Sequence, residues 1–517
     1  MMFFRFVLPT VALLAIALSP IGSIAQEIPW TPQSEGDLQR VKIEVPPAFS
    51  ALNIVPGTHD VFLPEGWTAK IFFAGTSLDK PRYMSFGPDS VLFVANMNKN
   101  NILALPDEDK DGIADRAIVV STSASYCHDI RFYRDTMFIC AESGVFKLWR
   151  SSGSGYVYDQ RVTIVNKAEQ PNQIGGNHRT RTLVLDTLRM KLYVSVGSRG
   201  NADRESDRGV IEEYNWDGTG RRVYASGVRN AVGMALHPRT GALWANNNGS
   251  DLQGNNVPPE WVDLVRENGF YGYPYAYHLQ NFFDLNLGGY ANLKPLTAAD
   301  SANVARMVAP AALVAAHSAP MALVFAHDGM PDGFRKGAFM ALRGSWNRAP
   351  VSGTKIVYLD FDNDEDTIAN VAVDFCRGFL IDSNNNATRW ARPVGVALAS
   401  DGSVFISSDD MKEFILKLSP PRETSVGEHG GEPSGEPTGL PGRALQIDQR
   451  HDEVVVTIPD QWTSADIQVV DLQGSVVAAM MAQPVATFNA RALPSGRYVV
   501  RAISGSKTMT GSFTIAR

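Results

Sequence analysis

The sequence predicts an all-β protein, a six-bladed β-propeller followed by a small β-sandwich C-terminal domain. Three observations carry this. Over residues 60–420 one unit recurs, a short apolar β-rich run, a turn and a second such run. The spacing is roughly 45–65 residues where no insertion intervenes, in the range of propeller-blade repeats. Sustained 3.6-residue periodicity is scarce, which disfavours helical layers. At residue 421 the composition turns to Gly, Pro, Glu and Ser, and a second β-rich stretch follows.

The recurring runs are 91–95, 136–140, 191–195, 242–245, 338–341 and 403–407. Aromatic and β-branched residues dominate them, as strands packed on both faces require. Several follow a second apolar segment, at 82–86, 128–132, 232–236 and 394–398. Six units predict six blades around one channel, where loops distant in sequence converge. Residues 298–316 break the pattern and read as a short helical insertion. Residues 421–443 cannot bury a core and form a flexible linker. In the tail, 444–517, four strands are expected at 454–458, 465–471, 497–501 and 511–517, with a hairpin turn at 471–474.

The 517 residues allow two or three domains, and 44% hydrophobic with 20% charged residues describes a globular chain. Net charge is −7 and no dense basic patch occurs, so a nucleic-acid partner is excluded. Residues 1–25 read as a signal peptide: Arg5, an apolar run at 7–18 broken by Pro9 and Thr10, and the small-residue site Ser23-Ile24-Ala25. Residues 26–59 are an N-terminal extension. The mature chain is expected to lack a transmembrane segment and to be secreted or cell-surface, exported through the periplasm. Three cysteines occur. Cys127 and Cys140 form either a disulfide after export or two buried thiols. No Cys-x-x-Cys-His is present, so the chain carries no covalent haem. Asp107-Glu-Asp-Lys-Asp-Gly112 opens like a calcium loop, but Ile118 stands where the twelfth-position glutamate belongs. An acidic hairpin tip is the better reading, with a weak structural calcium site as the alternative.

The chemistry concentrates in residues 176–277. His178 follows a Gly-Gly turn and precedes a blade strand, where an imidazole is a suitable base for a sugar hydroxyl. Arg229 and Asn230 lie in Gly227-Val-Arg-Asn230, and a guanidinium pairs well with a flat polyanion. Asn246-Asn-Asn-Gly249-Ser250-Asp251 follows. Gly344-Ser-Trp-Asn-Arg348 and Arg392-Pro-Val-Gly395 add two cationic loops, and Trp346 can pack on a sugar or on a cofactor plane.

In order and spacing, these motifs resemble the soluble quinoprotein glucose dehydrogenases and their sorbosone-dehydrogenase-like relatives. The resemblance implies pyrroloquinoline quinone as cofactor, with His178 as the catalytic base. It implies cofactor contacts from Arg229, Asn230, Arg348 and Arg392, and calcium on the main-chain carbonyls of Gly249 and Ser250. The chain departs from the glucose enzymes at Asn177 and Ser198, where they carry Asp, and loss of a carboxylate partner lowers a histidine's basicity. The implied activity is oxidation of an aldose or sugar aldehyde, with electrons passed to an external acceptor. A calcium-dependent propeller lactonase and a non-catalytic propeller that binds glycan or protein are the alternatives. The tail, through 467–474, 493–500 and the strand ending at Arg517, resembles the type A C-terminal sorting domain of type IX secretion substrates. That implies the type IX machinery as a partner.

Overall fold

The computed structural model describes residues 33–122, 125–152, 155–361, 363, 366–421, 446–450, 453–458, 462–470, 476–491, 493, 496–504 and 507–515. The signal peptide, nearly all of the linker and the 471–474 turn lie outside the described residues.

Six sheets of four or five strands form the six-bladed propeller. Their innermost strands are Pro81–Phe86, Asp129–Tyr133, Leu183–Asp186, Met234–Leu236, Pro320–Phe325 and Ala391–Leu398, in blades 1 to 6. Each contacts the next, and the last contacts the first, so the ring closes. The six repeated runs are the second strands, among them Leu92–Asn96 and Ala338–Leu342, which are buried along their whole length. Burial on both faces explains their unbroken apolar character.

Closure uses a strand from the other end of the domain. Blade 6 takes Thr68–Ala74 as its fourth strand, paired antiparallel with Phe414–Ser419. Ile43–Glu44 then adds in parallel outside it, and Gln33–Ser34 adds to the edge of blade 5. The core lies between blades. One apolar cluster joins blades 5, 6 and 1, and four more fill the remaining blade interfaces.

Two expectations need correction. The helical insertion is shorter than residues 298–316. The helix runs only Ala298–Ala305, and Ala312–Val314 is the outer strand of blade 4. Thr297 and Asp300 form a capping box at its start, and Pro310 cannot continue it. Among the described residues, the tail forms a β-sandwich-like domain with seven strands rather than four, in a three-stranded and a four-stranded sheet. Gln446–Arg450, Val476–Ala482 and Val485–Asn489 are the additions. Cys127, Cys140 and Cys376 are buried thiols, not disulfides. No helix among the described residues is long and apolar enough to cross a membrane.

Candidate functional site

In an antiparallel blade, successive loops alternate between the two faces of the ring. Loops entering the innermost strands therefore share a face with those joining second to third strands. His178, Arg229, His317 and Arg389 lie in loops of the first kind. Ser198, Gly249, Asp251, Arg343 and Trp346 lie in loops of the second kind. Asp107–Gly112 joins the third and fourth strands of blade 1 and so belongs to the opposite face. Its carboxylates turn inward onto their own backbone: Asp107 accepts from Gly112 N–H, Asp109 from Asp111 N–H and Asp111 from Ile113 N–H. The three cluster closely enough to hold a cation, but apart from the histidine.

His178 is half-buried. Its Nδ1 lies 2.9 Å from Ser198 Oγ and 3.0 Å from Ser198 O. The Ser198 hydroxyl hydrogen goes to Gly200 O at 2.8 Å. Both Ser198 oxygens therefore face the ring as acceptors, so Nδ1 carries the hydrogen and Nε2 keeps its lone pair. No hydrogen bond among the described residues reaches Nε2. Burial, with the nearby Arg229 charge, pushes the pKa down to about 3, so the ring is neutral at ordinary pH. A Cβ at Gly197 would come within 2.5 Å of His178 Cβ and 2.7 Å of Asn230 Oδ1, so only glycine lets these residues approach.

Arg229 is buried in a ring of oxygens. Nη1 donates to Gly249 O at 2.6 Å and Asn248 O at 3.3 Å. Nη2 donates to Asp251 Oδ2 at 2.9 Å and Asn201 Oδ1 at 3.1 Å, and Nε to Asn201 O at 3.1 Å. Gly227, with φ of +73°, makes the turn that delivers it. Asp251 also accepts from Asn347 Nδ2 at 2.9 Å and stands 3.7 Å from His317 Nδ1. Burial alone would raise the Asp251 pKa, but His317, Arg229 and Asn347 outweigh it and hold it low. The same pairing raises His317 against its own burial. Glu260, fully buried beneath this loop, accepts from Gly249 N–H, and burial pushes it up to about 7.

A cationic wall completes the face. Arg392 donates to Gly344 O at 2.7 Å and Arg343 O at 3.2 Å, and lies 3.6 Å from Asp410. Arg343 bonds Asp409 at 2.8 Å, and Arg82 pairs with the same carboxylate. Arg389 reaches Ser345 O at 2.8 Å. Burial, followed by Arg343 and Arg389, pulls Arg392 down to about 10. Motif reading found Arg392 but missed Arg343, one residue before Gly344, and Arg389, three before Arg392. It also missed His317, which holds the same loop position in blade 5 as His178 in blade 3. Arg348 does not join this wall; it donates to Asn255 O, Pro350 O and Asn256 Oδ1. Trp346 is 70% exposed, beside Asn347 and its bond to Asp251.

These residues suit an anionic ligand. Four guanidinium groups, Arg82, Arg343, Arg389 and Arg392, face two carboxylates, Asp409 and Asp410, and the buried Nε of Arg389 has no hydrogen-bond partner. The donors around Gly249 are hard oxygens of the kind calcium takes. In this structure they converge on the Arg229 guanidinium.

A family model described as TrAA12-like matches residues 61–418. An uncharacterized protein of Borreliella burgdorferi is 24% identical over 363 residues, 68% of this chain and 89% of its own. The calcium structure of the Trichoderma reesei carbohydrate-active enzyme of family AA12 superposes with a TM-score of 0.58 at 21% identity, covering 71% of this chain and 98% of that one. The holo form of the pyranose dehydrogenase PQQ domain from Coprinopsis cinerea gives 0.55 at 21% identity, covering 69% and 97%. These structural likenesses show the propeller fold.

Proposed function

Because this chain belongs to the TrAA12-like family, we propose that it is a quinoprotein dehydrogenase that oxidises an aldose or sugar aldehyde. The observation that carries this is the imidazole of His178, neutral and with Nδ1 committed to Ser198, on the same face as a guanidinium-rich wall. Names among the relatives that point to PQQ and to pyranose oxidation support it.

Arg229, Asn230 and Arg392 would hold pyrroloquinoline quinone, with Arg343 and Arg389 beside Arg392 in place of Arg348. The carbonyls of Gly249 and Ser250 would hold calcium, with the Arg229 guanidinium moving off Gly249 O. Bound there, the quinone supplies a two-electron acceptor for hydride and calcium a hard positive charge. His178 Nε2 would take the proton of the sugar's anomeric hydroxyl, leaving the oxygen to form the product C=O while the C–H electron pair would go to the bound quinone. A base with a pKa near 3 is weak but never blocked by protonation at neutral pH. Arg229, next to the ring, opposes its protonation and favours return of the proton to water. An external acceptor would take up the electrons. The tail, by its likeness to type A sorting domains, serves as an address for type IX export.

The test is reconstitution of the purified protein with pyrroloquinoline quinone and calcium, followed by dye reduction with a panel of aldoses. Sugar-dependent reduction that His178→Ala removes, with quinone binding retained, is the expected outcome. A protein that does not bind the quinone ends this reading.

A further inference from the structure

We infer that Arg208 is the positioning residue of the His178 base, an inference that rests on the reading of His178 as the proton acceptor. Arg208 lies two residues before the third strand of blade 3, Val210–Asn215, and is only 3% exposed. Its Nε donates to Gly197 O at 2.9 Å. Nη1 donates to Gly175 O at 2.9 Å and Asn172 O at 3.2 Å. Nη2 donates to His178 O and Ser198 O, both at 3.3 Å. A guanidinium has five N–H donors, and here all five meet main-chain carbonyls.

Those carbonyls belong to two separate loops. Asn172, Gly175 and His178 lie in the segment that enters blade 3. Gly197 and Ser198 follow the second strand of the same blade. Asn177 N–H on Arg199 O at 2.8 Å and Arg199 Nη2 on Asn172 O at 2.7 Å also tie these loops, but it is Arg208 that bonds both the histidine's own carbonyl and that of the serine whose two oxygens fix its tautomer. Glu205, 3.5 Å from Nε, supplies the counter-charge. A lysine offers three donors from one point and cannot span five carbonyls held in a plane. Without the fork, His178 and Ser198 lose the clamp on their two carbonyls, Ser198 no longer holds Nδ1–H in place, and the lone pair is no longer confined to Nε2.

The test reads the ring directly and needs neither cofactor nor sugar. Protein labelled with imidazole-¹⁵N histidine, its His178 signal assigned with His178→Gln, reports which ring nitrogen carries hydrogen. The parent should show hydrogen on Nδ1 alone. Arg208→Lys and Arg208→Gln should each show a mixture of tautomers, and two variants of different shape guard against one that does not fold. In the reconstituted enzyme kcat should fall about 10- to 100-fold, the scale of a misplaced catalytic group, with KM for sugar and quinone affinity nearly unchanged. Hydrogen on Nε2 in the parent, or a single Nδ1–H tautomer in a folded variant, overturns the inference. Absence of quinone binding in the parent instead ends the dehydrogenase reading and leaves the tautomer result to stand alone.

Discussion

At Ser198 the hydroxyl gives its hydrogen to Gly200 O and turns a lone pair toward His178. A carboxylate at that position would also select the tautomer, but it would raise the ring's basicity as well. From the sequence, the absence of that carboxylate was reason to expect a less basic histidine. The direction agrees, but burial is the larger cause and the Arg229 charge the second. The shift has a consequence for stability. Above pH 6.5 the ring is neutral in both folded and unfolded chains, and it contributes no pH dependence. As pH falls from 6.5 toward 3, the unfolded chain takes up a proton that the folded one refuses, so stability is lost. Denaturant melts of the parent and His178→Gln should therefore show the parent's advantage shrinking across that window. A pH-independent difference would contradict a depressed pKa. Asp251, which faces the ring and raises its pKa, stays ionised over most of the window because its own pKa is low.

Among the elements, the strand Thr68–Ala74 has the greatest leverage. It completes blade 6 from the N-terminal side, so the ring is fastened by hydrogen bonds between the two ends of the domain. Ile71 on this strand is fully buried in the cluster that joins blades 5, 6 and 1. Ile71→Ala should destabilise the propeller by about 2–5 kcal/mol, the usual cost of such a cavity, measured as a shift of the denaturant midpoint. The second strands were legible in sequence because burial on both faces makes them continuous apolar runs. The tail strand Val476–Ala482 was not, since most of its residues are exposed or half-buried and its apolar side chains mark no single face. The helix Ala298–Ala305 was overextended across Pro310, a breaker the sequence itself displays.

For the whole molecule, the ring closes through Thr68–Ala74 and Phe414–Ser419, and the described tail strands pair only with one another. The ion pair Arg501–Asp328, 2.6 Å, bridges the two domains. It is partly exposed, and such pairs contribute about 0–1 kcal/mol. A chain ending at residue 421 should keep the propeller's melting temperature within a few degrees. Loss of a cooperative propeller transition in that chain would show that the tail is structural.

The number of blades is legible in the chain because the first three strands of every blade are consecutive and their apolar runs repeat. Local motifs also singled out His178, Arg229 and Gly249, and the structure places their loops on one face. Assembly of the ring sets Arg343 and Arg389 beside Arg392 and turns Arg348 to the 255–256 loop. Only the fold decided that the acidic loop at 107–112 lies on the far face, and that one buried guanidinium ties the histidine loop to Ser198. Closure of the ring is what brings loops from different blades together. Once they meet, burial and neighbouring charge set each group's protonation collectively, and no short stretch of chain encodes that by itself.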